Sequence, residues 1–311
     1  MNRCLIVTSL AAEFAAEIER LGKSQIPVTA CATAAEALSA YDGETVLFGN
    51  PQQIAEILPK LPAVAWVQSS WAGVTPLIRA GRRDYVLTGV RDVFGPQMSE
   101  YVFGYLLAHE LRILERMSRQ RARIWYREHS GVLAGKTLGL MGTGSIGRHL
   151  ARTGHAFGMK ALGLSRSGSA VKDFDEVLPA SKLRGFLASC DHLVSTLPET
   201  PGTDRLLNAG TLRLLPRTAY FVNVGRSNVV DDAALMSALR RGRLAGAALD
   251  VFDEEPVPDD SPLWTTPNLS ITAHIAAISH PLLIVPIFVD NYRRYVAGKP
   301  LRHVVDFDAG Y

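Results

Sequence analysis

The sequence has few cysteines, no block of charge of one sign, and no apolar run long enough to cross a bilayer. Its three cysteines, Cys4, Cys31 and Cys190, show no paired spacing and sit in or beside apolar segments. A disulfide scaffold is therefore excluded, and buried thiols in a reducing cytoplasm are expected. No cluster of Cys and His has the spacing of a metal site, so none is expected. Lys and Arg total 33 against 30 Asp and Glu, a net charge of +3. The basic residues are scattered apart from short clusters such as 119–123, which read as solvated helix faces and argue against nucleic acid or membrane as partner. Glu13 and Glu17 interrupt the early apolar stretch, so no signal peptide is expected. The most apolar late stretch, 275–289, is too short to span a bilayer and contains His280, Pro281 and Pro286. Internal repeats and low-complexity segments are lacking too.

What is present is ordinary for a globular protein: 311 residues, long enough for two domains, 47% hydrophobic and 20% charged. Apolar runs at 3–10, 27–30, 45–49, 63–69 and 86–90 alternate with helical or mixed segments, the first helix at 11–21. That alternation predicts a parallel α/β unit over the first hundred residues. Gly95-Pro96 reads as its end. One long helix is predicted from 97 or 98 to about 123, with Tyr101, Tyr105, Leu106, His109, Leu111, Ile113 and Leu114 on its apolar faces. A second α/β unit begins near Gly135, with strands at 137–141, 160–165, 192–197, 219–224, 245–251 and 269–272. In the first unit, Ser69-Ser70-Trp71-Ala72-Gly73-Val74 is a turn rich in small residues. Its backbone N–H groups can bind a carboxylate; an ordinary strand-to-helix connection with Trp71 packed is the reading that the local sequence favours.

The second unit opens on the stretch around which the chain is organised. Apolar residues 137–141 lead into Gly142, Gly144 and Gly147, in G-x-G-x-x-G spacing, and a helix is expected over 149–157. Strand, glycine turn and helix together form the context of a dinucleotide site. Gly142 allows the turn, Gly144 lets a pyrophosphate approach the backbone, and Gly147 lets helix and strand pack closely. The helix N-terminus offers N–H groups and a positive dipole end to the phosphates. A plain glycine turn is the alternative. At the end of the next strand an NAD-binding unit usually places an acidic residue. Here none comes before Asp173; Ser165, Arg166 and Ser167 stand instead, a set suited to a 2′-phosphate and hence to NADPH. A surface turn that happens to hold an Arg is the other reading.

Three further stretches end strands of the same unit: Asn223-Val224-Gly225-Arg226-Ser227, then 249–256 with Asp250 and Glu255, then Thr272-Ala273-His274-Ile275-Ala276. Ligands of open α/β sheets sit at the carboxyl ends of the strands, so Arg226, Glu255 and His274 are expected to converge there. With these motifs the chain resembles the D-isomer-specific 2-hydroxyacid dehydrogenases over nearly its full length, and within them the short glyoxylate/hydroxypyruvate reductase-like members, which share the Val-Asp-x-x-x-Gly-Tyr ending at 305–311. The likeness is carried by Trp71-Ala72-Gly73-Val74, the glycine motif, Leu197-Pro198, the Arg226 stretch, Asp-Val-Phe-x-x-Glu-Pro at 250–256, and His274-Ile275-Ala276-Ala277.

The resemblance implies a fold of two Rossmann-like domains, each a parallel sheet flanked by helices. A discontinuous substrate domain would span 1–97 and 281–311, and a dinucleotide domain 98–280. It implies that Arg226 binds the substrate carboxylate and polarises the keto oxygen, with Trp71, Ala72 and Gly73 adding contacts to that carboxylate. His274 would be the acid/base, held and kept charged by Glu255. Asp250 would orient the nicotinamide amide. Ser145, Ile146, Leu197, Pro198, Val224, Gly225 and Ala276 would join the glycines, Arg226 and His274 around NADPH, with NADH a weaker alternative. The implied reaction is reduction of a small 2-keto acid to a D-2-hydroxy acid by a cytoplasmic homodimer.

Ser227, Ala273 and Thr75 depart from the family's usual Gly, Pro and Asp, which bears on loop geometry rather than on reacting groups. Histidines such as His149, His155 and His280 lack such a context and read as surface or packing residues, with His280 set apart by its place near the second crossing between domains. Two rivals remain. A formate dehydrogenase on this scaffold pairs a Gln with the histidine, which Glu255 argues against. A dinucleotide-sensing corepressor could keep all three residues and is separated by assaying keto acid reduction.

Overall fold

The computed structural model describes residues 3–22, 25–308 and 310. The chain forms two compact units, one of residues 1–93 with 279–311 and one of 94–278.

The first unit is built on β1 (Cys4–Val7), β2 (Val28–Cys31), β3 (Val46–Gly49), β4 (Trp66–Ser69) and β5 (Val86–Thr88), interleaved with α1 (Ala11–Gly22), α2 (Ala34–Ala40), α3 (Pro51–Ile57) and α4 (Thr75–Arg79). All pairings are parallel, in the order β2-β1-β3-β4-β5. Strands β1, β3 and β4 are buried at every residue, which is why β1 and β3 read as apolar runs rather than alternating ones. Leu5, Val7, Leu47, Val67 and Leu87 pack with Ala37, Ile54 and Leu77 of α2, α3 and α4.

The second unit starts with α5 (Gly95–Glu110) and α6 (Ile113–Arg121). Then come β6 (Thr137–Met141), α7 (Ser145–Ala156), β7 (Lys160–Ser165), β8 (Glu176–Pro179), α8 (Leu183–Ala188), β9 (His192–Ser195), α9 (Ala209–Leu212), β10 (Tyr220–Asn223), α10 (Asp232–Arg240), β11 (Gly246–Leu249) and β12 (Leu269–Ile271). These strands form one parallel seven-stranded sheet, β12-β11-β10-β9-β6-β7-β8. Valines and leucines of β6, β9 and β10 are buried against Val102, Phe103 and Leu106 of α5 and Leu150 and Ala151 of α7. The last helix, α11 (Pro281–Val296), belongs to the first unit. Its Phe288 stacks on Phe48 with ring centroids 4.4 Å apart, and on Trp66 at 5.6 Å. Asn291 donates to Gln68 Oε1 at 3.1 Å, and Val304 bridges to Thr88. Of the 305–311 ending, Val305 is buried in this core, while Ala309 and Tyr311 lie outside the described residues.

Four expectations are corrected. The predicted helix over 97–123 is two helices: Arg112 takes a left-handed φ of 52°, and α6 buries none of its side chains, so no packing face requires the axis to continue. Gly95-Pro96 opens α5, with Pro in its first turn where a missing N–H costs nothing. Helix α7 begins at Ser145, four residues before the expected start. Strand β8 was not foreseen, because a partly exposed edge strand reading Glu-Val-Leu-Pro has no apolar run to betray it.

Candidate active site

From β6 the sheet grows through β7 to β8, and the chain then returns to β9 on the other side of β6. That reversal leaves a crevice at the carboxyl ends of β6 and β9, where open α/β sheets bind ligands. The glycine turn lies there. Gly142 has φ +108°, and a Cβ on it would sit 2.5 Å from Thr196 Oγ1, directly after β9. A Cβ on Gly147 would meet the Gly142 carbonyl oxygen at 2.2 Å, so the first turn of α7 closes onto the glycine turn. Gly144 is the N-cap of the twelve-residue α7 and offers no side-chain cap. The leading N–H groups, those of Ser145 and Ile146 among them, thus lack an intrahelical acceptor. Nothing lies within 4 Å of where a Gly144 Cβ would stand. An uncapped helix end behind an open glycine fits a pyrophosphate.

At the end of β7, Ser165 Oγ accepts from Gly168 N at 3.0 Å, and Ser167 Oγ accepts from Ser169 N at 3.2 Å. Arg166 and Ser167 are exposed. Asp173, the next acid along the chain, is bound elsewhere: Arg148 and Arg152 donate to its Oδ2 at 3.2 and 3.0 Å. Burial works to raise the Asp173 carboxyl, but hydrogen bonds from these two arginines prevail and hold it below its usual value. It therefore serves α7 rather than the strand end.

Arg226 follows β10. Asn223, fully buried at the end of that strand, shapes its approach: Gly225 N donates to Asn223 Oδ1 at 3.1 Å, and Asn223 Nδ2 donates to Arg226 O at 2.9 Å. Arg226 Nη1 donates to Gly225 O at 2.6 Å. Burial pulls the guanidinium below its ordinary value, while Glu199 and Glu255 pull it back, so both carboxylates lie within electrostatic reach. Val224 and Gly225 are buried beside it, and Pro198 O, after β9, accepts from Thr203 Oγ1 at 2.8 Å.

Past β11 and β12 the remaining groups meet. His274 Nδ1 lies 2.9 Å from Glu255 Oε2 in hydrogen-bond geometry, and Glu255 Oε1 accepts from Phe252 N at 2.9 Å. With Nδ1 held by the carboxylate, His274 would exchange protons through Nε2. Asp250, buried at the end of β11, turns its carboxylate to the loop that carries His274. It accepts from Thr272 Oγ1 at 2.6 Å, Ile275 N at 2.8 Å and Ala276 N at 2.8 Å. Arg226, Glu255 and His274 thus stand at the same edge of one sheet as the glycine turn. Trp71, Ala72 and Gly73 belong to the other unit, after β4, where Ser69 Oγ donates to Trp71 O at 2.9 Å and accepts from Trp71 N at 3.0 Å. His280 is exposed and stands at the N-cap position of α11 without a side-chain capping bond. Nothing in the sequence assigned a place in the site to Asn223, Thr272 or Gln97, and Tyr101 read only as part of an apolar helix face. Only Asn223 carried a local sign, an Asn two residues before a Gly directly after a strand. Among the described residues no group of three or more His, Cys, Asp or Glu could hold a metal ion, and no helix is long and apolar enough to cross a membrane.

Residues 103–276 match the model of the NAD binding domain of the D-isomer specific 2-hydroxyacid dehydrogenases. A glyoxylate/hydroxypyruvate reductase A of Salmonella heidelberg is 32% identical over 217 residues, 70% of this chain and 70% of that protein. A D-isomer specific 2-hydroxyacid dehydrogenase family protein from Aeromonas salmonicida superposes with a TM-score of 0.93 at 40% identity, over 99% of this chain and 100% of the other. An NADPH-dependent glyoxylate/hydroxypyruvate reductase from Sinorhizobium meliloti, solved with NADP and sulfate, gives 0.88 at 30% identity, over 99% and 100%. The chain belongs to the D-isomer specific 2-hydroxyacid dehydrogenase family.

Proposed function

We propose that the protein is an NADPH-dependent reductase of small 2-keto acids, of the glyoxylate/hydroxypyruvate type, giving D-2-hydroxy acids. The observation that carries this reading is the His274–Glu255 hydrogen bond at the same sheet edge as Arg226 and the uncapped glycine turn. Bound at that turn, the nicotinamide cofactor supplies the hydride. Gly142, Gly144, Ser145, Ile146 and Gly147 would hold its pyrophosphate. Ser165, Arg166 and Ser167 would hold the 2′-phosphate, and Leu197, Pro198, Val224, Gly225 and Ala276 would line the rest. Arg226 binds the substrate carboxylate, aided by Trp71, Ala72 and Gly73, and stabilises the negative charge that grows on the keto oxygen as hydride reaches the adjacent carbon. His274 donates its Nε2 proton to that oxygen, and Glu255 fixes the ring and stabilises the imidazolium that gives the proton. In the reverse direction His274 takes the proton back.

Glu255 also weighs against the formate dehydrogenase reading. A cytoplasmic setting accords with the three buried free thiols. We read the protein as a homodimer, since Leu114 and Met117 of α6 and Trp125 and Val132 of the segment after it leave large apolar surfaces uncovered; a monomer by sedimentation at micromolar concentration overturns this.

The deciding experiment follows NADPH and NADH absorbance over a panel of 2-keto acids. Steady oxidation with glyoxylate or hydroxypyruvate is expected, more efficient with NADPH. Arg166→Ala is expected to raise KM for NADPH about ten- to a hundredfold, the value of one charge-assisted phosphate contact, and to leave that for NADH in place. Equal efficiency with both cofactors removes the NADPH assignment, and inertness toward every keto acid removes the reductase.

A further inference from the structure

Residue His274 has a backbone φ of +55°, in the left-handed region that few residues other than Gly enter, Asn, Asp and His more readily than the rest. Such a conformation costs about 1–2 kcal/mol and persists only where neighbouring contacts over-determine it. The loop after β12 has such contacts on both sides of the histidine. Asp250 receives the N–H groups of Ile275 and Ala276, the two residues after His274, and the hydroxyl of Thr272, two residues before it. Tyr101, on the second turn of α5, places its hydroxyl 2.6 Å from Thr272 Oγ1. A threonine hydroxyl has one proton, and this one goes to Asp250, so the tyrosine is the donor. The chain of bonds therefore runs in one direction, Tyr101 to Thr272 to Asp250, each donor polarised by the next acceptor. Burial pushes the Tyr101 phenol well up, which keeps that proton in place.

One turn earlier on the same face of α5, Gln97 grips the far end of the loop: its Nε2 donates to Ile278 O at 3.1 Å, and its Oε1 accepts from Ile278 N at 2.8 Å. Residues 97 and 101 are four apart and share one side of the helix. Helix α5 thus fastens both ends of the segment 272–278.

We propose that Tyr101, Thr272 and Gln97 are positioning residues for His274: the Tyr101–Thr272–Asp250 relay and the Gln97 clamp hold its loop in the left-handed geometry that aims the imidazole. This deepens the reductase reading and rests on it for its kinetic arm only. Thr272→Val keeps shape and removes the bridging hydroxyl. It leaves Asp250 short of one donor and Tyr101 without its acceptor. Tyr101→Phe removes the first link, together with the hydroxyl's bond to Tyr105. Thr272→Ser restores the hydroxyl.

The experiment measures kcat with glyoxylate, the dissociation constant of NADPH by fluorescence titration, and hydrogen exchange of the peptide covering 270–278. Thr272→Val is expected to lower kcat about tenfold, the loss of one hydrogen bond to a charged group, and Tyr101→Phe about fivefold, that of a neutral one. Thr272→Ser is expected near wild type. The NADPH constant is expected to move by much less than kcat in all three, and exchange at Ile275 and Ala276 to quicken in the first two. A merely structural role would weaken NADPH binding in step with kcat and would not be rescued by serine. If Thr272→Val and Tyr101→Phe both keep wild-type kcat and wild-type exchange, the relay does not position His274. If Thr272→Val fails to fold, Tyr101→Phe alone decides. Should wild type reduce no keto acid while exchange still quickens in the variants, the reductase reading falls and the relay stands.

Discussion

The seven-stranded sheet has a histidine–glutamate pair at each edge, and the two pairs are chemically opposite. At the carboxyl edge His274 and Glu255 lie 2.9 Å apart with 41% and 38% of their side chains exposed, joined by a hydrogen bond. At the amino edge His192, the first residue of β9, and Glu110, the last of α5, come within 3.0 Å with 0% and 5% exposed. There the carboxylate is taken by Lys136, and neither ring nitrogen of His192 has a hydrogen-bond partner among the described residues. The contact has ion-pair distance without hydrogen-bond geometry. Burial pushes His192 down to about 4, with Lys136 and His109 adding to that and Glu110 and Asp191 opposing it. His192 is thus a neutral packing residue at neutral pH. The residue types and the distance are shared; access to solvent and the direction of the bond decide which pair can move a proton.

The largest effect expected from this contrast is at His274. His274→Asn removes the acid and keeps a residue at ease in the left-handed backbone. Loss of a general acid is worth about a hundred- to ten-thousandfold in kcat, and the exposed position should leave the urea midpoint in place. A variant that keeps a tenth of wild-type turnover would end the assignment.

Next comes Glu255→Gln. Glu255 accepts on both oxygens, from Phe252 N and from His274. A glutamine has one acceptor oxygen, so one of the two donors must lose its partner, and the charge is lost as well. About ten- to a hundredfold in kcat is expected, with the NADPH dissociation constant unchanged. The contrast sharpens if the same substitution at Glu110 leaves kcat alone and lowers stability instead, because that carboxylate is buried against Lys136.

Much of this arrangement was legible in the order of residues, for a physical reason. Strands buried on both faces read as apolar runs, so β1, β3, β6 and β10 stand out. Gly142 is required by its left-handed φ and Gly147 by the close approach of the Gly142 carbonyl, and such requirements show in sequence. Arg226, Glu255 and His274 were visible as strand-end residues. Edge strand β8, with little buried surface, left no such trace. Nor did the break at Arg112, where a helix face simply stops being needed. The Tyr101–Thr272 and Gln97–Ile278 bonds join residues 171 and 181 positions apart, and no local spacing encodes them. His192 was the hardest to read, since its burial depends on α5, β6 and β9 together.

The smallest effect at neutral pH is expected at His192, and it grows with acid. Its value falls from an ordinary 6.5 in the unfolded chain to about 4 in the fold. Between those values the unfolded chain binds a proton that the folded one refuses. Stability from this residue is therefore complete above pH 6.5 and drains away as pH falls toward 4. At 1.36 kcal/mol per unit, about 2 kcal/mol is gone at pH 5. His192→Leu fills a similar volume, strands no hydrogen bond and cannot take the proton. Its change in packing energy acts equally at every pH, so the quantity to read is the drop between pH 7 and pH 5, taken from urea midpoints with a common slope. His109, also pulled down by burial, loses stability with acid in both proteins and cancels in the comparison. Wild type should drop by about 2 kcal/mol more than His192→Leu over that interval, and kcat at pH 7 should be the same in both. If the two proteins lose stability in parallel, His192 is already free to protonate in the fold, and the two histidine–glutamate pairs differ less than their burial implies.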